Sequence, residues 1–275
     1  SLLPNVVIKQ VLALPSLKNS LVDEKELQKN VEAGLQALYK YQQPNGGWGI
    51  WETSAAMPYL TSYVLYTLHE SKQAGYTVDE AVVQNGLNFV RNHLNAHPIE
   101  PKKTATITNL LFPNPTAESN AAGDAERRYE LNVRAYVLYV LAEMGMGDLG
   151  FSNSLYEYRD DLNLFAKAYL AMAFDDLKKQ GGLDETVLSD LTAKIETLTA
   201  SILNQAKETP RGVHFEEAYP EYRLFDTDTR TTALVLQMLA RTNPNHPYVA
   251  KILRHLMLEK QNLADGRYAS TQQTA

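Results

Sequence analysis

The 275-residue chain contains no cysteine. A disulfide framework, a Cys-ligated zinc or iron–sulfur centre and a cysteine nucleophile are therefore excluded within it. It has no apolar run approaching the ~18–20 residues that a membrane-spanning helix requires. An excess of basic charge is also missing. There are 26 Lys and Arg against 32 Asp and Glu, a net charge of −6, which argues against a nucleic-acid binder driven by phosphate neutralisation. Period-2 alternation bounded by turn residues is nearly absent, so strands are not expected. What is present is 44% hydrophobic and 21% charged residues, the balance of an ordinary globular chain. The length can bury a substantial core without staples.

The termini lack closing features. Ser1-Leu2-Leu3-Pro4-Asn5 has no initiator Met and no basic region followed by an apolar stretch, so it is not a signal peptide. Ser270-Thr271-Gln272-Gln273-Thr274-Ala275 closes no element. Both ends read as cuts through a longer polypeptide, and the chain is expected to be a fragment of one.

Helical periodicity dominates. Leu188, Leu191, Ile195, Leu198 and Ile202 recur at three- and four-residue steps, the face of an amphipathic helix. Val31, Leu35 and Leu38 repeat that spacing, as do Leu162, Phe165, Tyr169, Ala173 and Leu177, and Val249, Ile252 and Leu256. The template predicts roughly ten helices and an all-α class. Asp23 with Glu26 forms a capping-box pattern, and Gly181-Gly182 with Asp184 separates two long helices. One stretch breaks the rhythm. Residues 97–126 carry Pro98, Pro101, Pro113 and Pro115, and are expected to form a Pro-rich surface excursion with a short helix around Ile107–Phe112. An interdomain linker is the other reading; like patterning on both sides favours a single domain over 1–275.

Repeats suggest the architecture. Tyr41-Gln42-Gln43-Pro44-Asn45-Gly46-Gly47-Trp48 near the start is matched near the end by Lys260-Gln261-Asn262-Leu263-Ala264-Asp265-Gly266-Arg267-Tyr268. Each is a helix ending in Gln, a Gly turn and an aromatic. Four segments share a small-then-aliphatic signature: Ser62-Tyr63-Val64-Leu65, Ala135-Tyr136-Val137-Leu138, Ala168-Tyr169-Leu170-Ala171 and Ala233-Leu234-Val235-Leu236. Such helices are apolar nearly all round and need neighbours on every side, whereas polar-faced ones such as 184–206 suit an outer layer. Alternation of the two kinds predicts an α/α toroid, an inner ring of helices within an outer ring.

These residues resemble the thioester-containing toroid domain of the alpha-2-macroglobulin family, particularly its bacterial members. The run Gln42–Leu68 is similar to that family's helix ending in Gln, its Asp/Asn-Gly-Gly-aromatic turn and the following Leu-Thr-Ser/Ala-Tyr. Thr229–Leu236 and Gly266–Gln272 are similar to its penultimate helix pair and Ser-Thr-Gln turn. Ser1–Asn5 resembles the segment a few residues after its Cys-x-Glu-Gln thioester sequence. The resemblance implies a non-catalytic domain of a bacterial protease trap, an endopeptidase inhibitor. Such a domain packs on neighbouring β-sandwich domains and frames a thioester. The implied partners are those domains of the parent chain and, indirectly, target proteases, in an extracellular or periplasmic setting, without nucleic acid or direct membrane insertion. Because the thioester needs a Cys, no residue here is the acyl donor, and no catalytic, cofactor-binding or metal-binding residue is carried over; no cofactor is implied.

Four features have a chemical reading beside a structural one. Gly46–Trp51 concentrates both tryptophans and suits a ligand platform, but glycines permit φ > 0 at a helix exit and the indoles are expected to close the end of the toroid. Asp226-Thr227-Asp228-Thr229 resembles the Asp-x-Asp-Asp-Thr acid motif of class II terpene cyclases, also α/α toroids, whose Gln-x-x-x-Gly-x-Trp repeat is matched by Gln42, Gly46 and Trp48. A buried Asp226 or Asp228 above an apolar cavity would start a cation cascade. Helix capping by Asp or Thr is the competing and preferred reading. His93 and His97 have the i, i+4 spacing of a metal pair but lack a third ligand, and the zinc site of the toroidal protein prenyltransferases needs a Cys. His214 near Glu216 and Glu217 is a general-base candidate with no nucleophile beside it in sequence. A polysaccharide-binding or lyase toroid would need clustered basic residues, and no such cluster is seen. The sequence thus predicts a protein that is not an enzyme, with a terpene-cyclase-like enzyme using Asp226 and Asp228 as the alternative.

Overall fold

A computed structural model describes residues 2–12, 23–100 and 117–264. Ten α-helices lie among them: α1 (Leu2–Leu12), α2 (Glu24–Lys40), α3 (Pro58–Gln73), α4 (Glu80–Ala96), α5 (Ala117–Glu143), α6 (Leu149–Tyr156), α7 (Leu164–Lys179), α8 (Glu185–Leu203), α9 (Asp228–Thr242) and α10 (Pro247–Ala264). The odd-numbered helices pack in succession, α1 on α3, α3 on α5, α5 on α7 and α7 on α9. The even-numbered helices cover them from outside: α2 lies on α1, α4 on α3 and α5, α6 on α5 and α7, α8 on α7, and α10 on α9. The fold is the all-α, α/α toroid that the sequence predicts.

Burial follows that division. Every residue from Leu131 to Ala142 of α5 is buried, and so are Leu164–Phe174 of α7. Neither stretch has a solvent-facing stripe, because helices lie on all sides of it. In α8 only Leu191, Ile195, Leu198 and Ile202 are buried, a single stripe turned toward α7. The helix α9 departs from the expectation: Ala233 is exposed while Val235 is fully buried, so its small-then-aliphatic segment is one-sided.

The inner helices are parallel. Tyr59 meets Tyr136, and two turns on along α3 and about one turn on along α5, Tyr66 meets Tyr139. Tyr169 likewise pairs with Arg230, and Asp176 further along α7 with Arg241 further along α9. The N-termini of α3, α5, α7 and α9 therefore share one end of the ring, and the connections entering them cross that end.

Local signals act as expected at several boundaries. The Asp23 carboxylate accepts the Lys25 and Glu26 amides at the start of α2, and Asp184 accepts the Val187 amide at the start of α8, satisfying otherwise orphan donors. Gly181 and Gly182 take φ of 78° and 77°, a left-handed exit from α7 that glycine makes without strain. The expected excursion over 97–126 is shorter at its C-terminal side. Residues 101–116 lie outside the described residues, but Ala117–Glu126 begins the 27-residue α5. That stretch reads as loop because Ser, Asn, Gly and Asp are weak helix formers. Its alanines and the buried helix that follows carry it. One element escaped the periodicity: a hairpin of two three-residue strands, β1 (Lys207–Thr209) and β2 (Gly212–His214).

Candidate functional site

The N-terminal end of the inner ring holds a buried polar cluster that includes Asp226, Thr231 and Asn163. It is roofed by the strap Glu216–Phe225, which joins the hairpin to α9. Glu217 of the strap accepts the amides of Leu164 and Phe165, both at 2.9 Å. It thus caps α7 from 53 residues away, a task the helix's own N-cap Asn163 does not perform through its side chain. Two orphan donors at a positive helix end receive a carboxylate. Asn163 instead donates from Nδ2 to the Tyr219 carbonyl.

Asp226 is 3% exposed. Its Oδ1 is 3.1 Å from the Thr231 hydroxyl, and that hydroxyl is 2.9 Å from Glu217 Oε1. Burial raises the carboxyls of both acids above their usual range, Glu217 to about 7 despite the two amides it accepts. Arg230 extends from the first turn of α9 beneath the strap and donates to the hydroxyls of Tyr169 and Tyr59 and to the Leu224 carbonyl. Its guanidinium lies 5.5 Å from the Phe165 ring centroid, a cation–π distance. Beneath it Tyr59, Tyr136, Tyr139 and Tyr169 form a continuous seam of ring contacts with centroids 5.0–6.4 Å apart.

The predicted sites are placed as follows. Asp226 and Asp228 do not form an acid pair over a cavity. Asp226 is tied to Thr231 beneath the strap, whereas Asp228 is exposed at the first position of α9 and accepts the Glu217 amide. The ring centre below them is packed with tyrosines. The cyclase alternative has no support in this arrangement. Capping is the correct chemistry, though the N-cap is Thr227, whose hydroxyl accepts the Arg230 amide. The turn Gly46–Trp51 is structural at Trp48, which is buried and donates from its indole to the Leu38 carbonyl at 2.8 Å. Trp51 does not close the toroid; it is 74% exposed. The second turn of this kind, Asp265–Tyr268, and Ser270–Gln272 lie outside the described residues.

His93 and His97 stack on each other with centroids 4.2 Å apart, and His97 Nδ1 meets the His93 carbonyl. No group of three or more His, Cys, Asp or Glu able to hold a metal occurs among the described residues. His214 stacks on His255 of α10 at 4.7 Å and places Nε2 3.1 Å from Glu216. Glu217, expected near it, turns away to α7. The roles of Glu217, Arg230 and Tyr59 were not legible in sequence, although Arg230 and Thr231 fall within the Thr229–Leu236 run that carried the resemblance.

The geometry defines an α/α toroid with parallel inner helices and an aromatic, strap-covered end. Comparison with known proteins then specifies the kind. Residues 1–108 match the family described as the A-macroglobulin TED domain. The chain is 34% identical over 101 residues to the alpha-2-macroglobulin of Thermotoga maritima, covering 33% of this chain and 7% of that protein. It is 25% identical over 140 residues to that of Escherichia coli, covering 50% of this chain and again 7% of the relative. Trypsin-activated alpha-2-macroglobulin from Escherichia coli shares the fold, with a TM-score of 0.63 and 21% identity over 99% of this chain and 16% of that one. The chain thus resembles the thioester-domain region of bacterial alpha-2-macroglobulins, and it spans a small part of their length.

Proposed function

We propose that residues 1–275 form one non-catalytic toroid domain of a bacterial protease trap, where it packs on neighbouring domains of a longer polypeptide and frames a thioester. The match of residues 1–108 to the A-macroglobulin TED domain carries this reading. It is supported by a fold likeness along nearly the whole chain to a protein activated by trypsin. The surface agrees: Ile50, Trp51, Tyr219, Tyr222 and Phe225 are large apolar side chains, each at least 60% exposed. All belong to connections entering inner helices and so lie toward one end of the toroid. Aromatic residues concentrated on one face suit docking against another domain. Phe225 takes φ 54° and ψ 34°, a left-handed conformation that costs a bulky residue on the order of 1–3 kcal/mol and here turns its ring outward.

An extracellular or periplasmic location follows from the same family reading; among the described residues no helix is long and apolar enough to cross a membrane. The test is incubation with trypsin followed by denaturing electrophoresis. The chain alone is expected to form no covalent conjugate and to leave trypsin active, whereas the longer polypeptide captures the protease. A protease conjugate formed by the 275-residue chain itself would overturn the reading, because an acyl donor would then lie within it.

A further inference from the structure

The strap Glu216–Phe225 is pinned by two acids that meet at one hydroxyl. Thr231 Oγ1 lies 2.9 Å from Glu217 Oε1 and 3.1 Å from Asp226 Oδ1. A hydroxyl carries one proton, so it donates to only one of these oxygens. With both acids ionised, the second carboxylate would face a lone pair in a buried site. With one acid protonated, that acid donates to Thr231 and Thr231 donates to the other, so both contacts become hydrogen bonds. Glu217 already accepts two backbone amides, which suits the ionised form. Asp226 receives only the Glu221 amide at 3.4 Å besides Thr231, which suits the protonated one.

We propose that a proton shared across Glu217, Thr231 and Asp226 latches the strap over the N-terminal end of the inner ring, making strap closure a pH-dependent property of the domain. The charged surroundings are mixed. From α9, Arg230 stabilises an Asp226 anion and Asp228 opposes it. From α7, Lys167 faces Glu217. From α3, Tyr59 faces Asp226. Within the strap Glu221 is paired with Arg223, and Arg128 of α5 faces that pair. Two cations, Arg230 and the buried Lys167, therefore lie near the two acids. Lys167 donates to Ser201, and Arg230 to Tyr59, Tyr169 and the Leu224 carbonyl, so neither supplies the hydrogen bond that the shared proton provides.

The direction follows from linkage. The closed strap binds a proton that an open, solvated strap gives up near pH 4. Rising pH therefore favours opening by up to about tenfold per unit until the closed-state proton is lost, and the dependence then levels off. Because Tyr219, Tyr222 and Phe225 ride on the strap, its opening also displaces the exposed aromatic surface.

The experiment is hydrogen–deuterium exchange of peptides covering 216–226 in the 275-residue chain, corrected for intrinsic rates, from pH 5 to pH 8.5. Strap exchange is expected to rise at least about tenfold between pH 5 and pH 7.5 and then to level. In Asp226→Asn, whose amide supplies a permanent donor to Thr231, it is expected to be flat. A flat wild-type profile, or a slope that survives in Asp226→Asn, overturns the proposal. A carbon-13 carboxyl titration of the wild-type chain reads it independently of variant folding. One of the two acids is expected to keep its proton at pH 6, and finding both ionised there overturns the proposal.

Discussion

Arg230 reaches from the first turn of α9 into the ring and donates to the Tyr169 hydroxyl of α7 at 3.0 Å. This one side chain also serves Tyr59 of α3 and the Leu224 carbonyl of the strap, so it ties three inner helices and their roof together. Replacing Arg230 with Leu would leave the Tyr169 and Tyr59 hydroxyl oxygens without this donor in a desolvated site, while the Leu224 carbonyl keeps the Tyr59 hydroxyl at 3.2 Å. Destabilisation of about 2–4 kcal/mol is expected, measured as a lower urea midpoint with an unchanged slope. A loss below about 0.5 kcal/mol would show that the tyrosine seam holds without its cation.

The two tryptophans of the Gly46–Trp51 turn should behave oppositely. Trp48 packs in the core and donates to Leu38, whereas Trp51 faces solvent. Trp48→Ala removes a buried indole and is expected to cost about 3–5 kcal/mol. Trp51→Ala is expected to stay within about 0.5 kcal/mol of wild type. Iodide should quench the Trp51 emission and leave a blue-shifted Trp48 component. If a single substitution at Trp51 were as costly as one at Trp48, the turn would not be oriented as described.

Two glycines with the same dihedral separate conformational strain from close packing. Gly46 and Gly75 both have φ +87°. A Cβ at Gly46 would lie 2.2 Å from the Asn85 carbonyl oxygen, while one at Gly75 meets nothing within 4 Å. Gly75→Ala is expected to cost about 1 kcal/mol from the left-handed backbone alone. Gly46→Ala should cost clearly more, because backbone of α4 must also shift, and the lost Gln42 bonds to Gly46 and Val82 would mark the same displacement. Thermal unfolding of the two variants gives the difference directly.

Features written locally were legible in the sequence, and those requiring a distant partner were not. Asp23 and Asp184 cap the helices that follow them, and the Ala135–Leu138 and Ala168–Ala171 segments are core because a helix apolar all round has only one place to go. The hairpin strands are too short for any period to show. Glu217 looked like a neighbour of His214 because sequence proximity was the only guide. The fold instead takes it to the orphan amides of α7, a demand created by a helix start 53 residues earlier. Capping by Asp or Thr is legible because it is common before an apolar helix; Thr227 takes that position and leaves Asp226, one residue earlier, to be buried.

At the opposite end of the ring, Arg241 bridges Glu143 of α5 and Asp176 of α7, placing a cation where three helices end with negative dipoles. Burial and the adjoining Glu143 push Asp176 up to about 7. Burial also pushes Glu143 up, but the Arg241 hydrogen bond and charge outweigh it and hold that acid below its usual range. For Asp176 the folded state holds a proton that the unfolded chain releases near pH 4. Its contribution to stability is complete below that pH and is lost as pH rises through about 7. His93 works in the opposite sense: burial and the charges of His97 and Arg134 depress it to about 4, so stability is lost as pH falls from about 6.5 toward 4. The two windows overlap, so between about pH 4 and 6.5 the trends oppose each other, and only above about 6.5 does the Asp176 loss stand alone. Urea unfolding at pH 5 and pH 8 should show the wild-type chain more stable at pH 5 with respect to Asp176. The difference should shrink by about 2 kcal/mol in Asp176→Asn, which keeps a neutral group beside Arg241 at both pH values. An Asp176→Asn difference equal to that of wild type would mean that Arg241 holds both carboxylates ionised throughout.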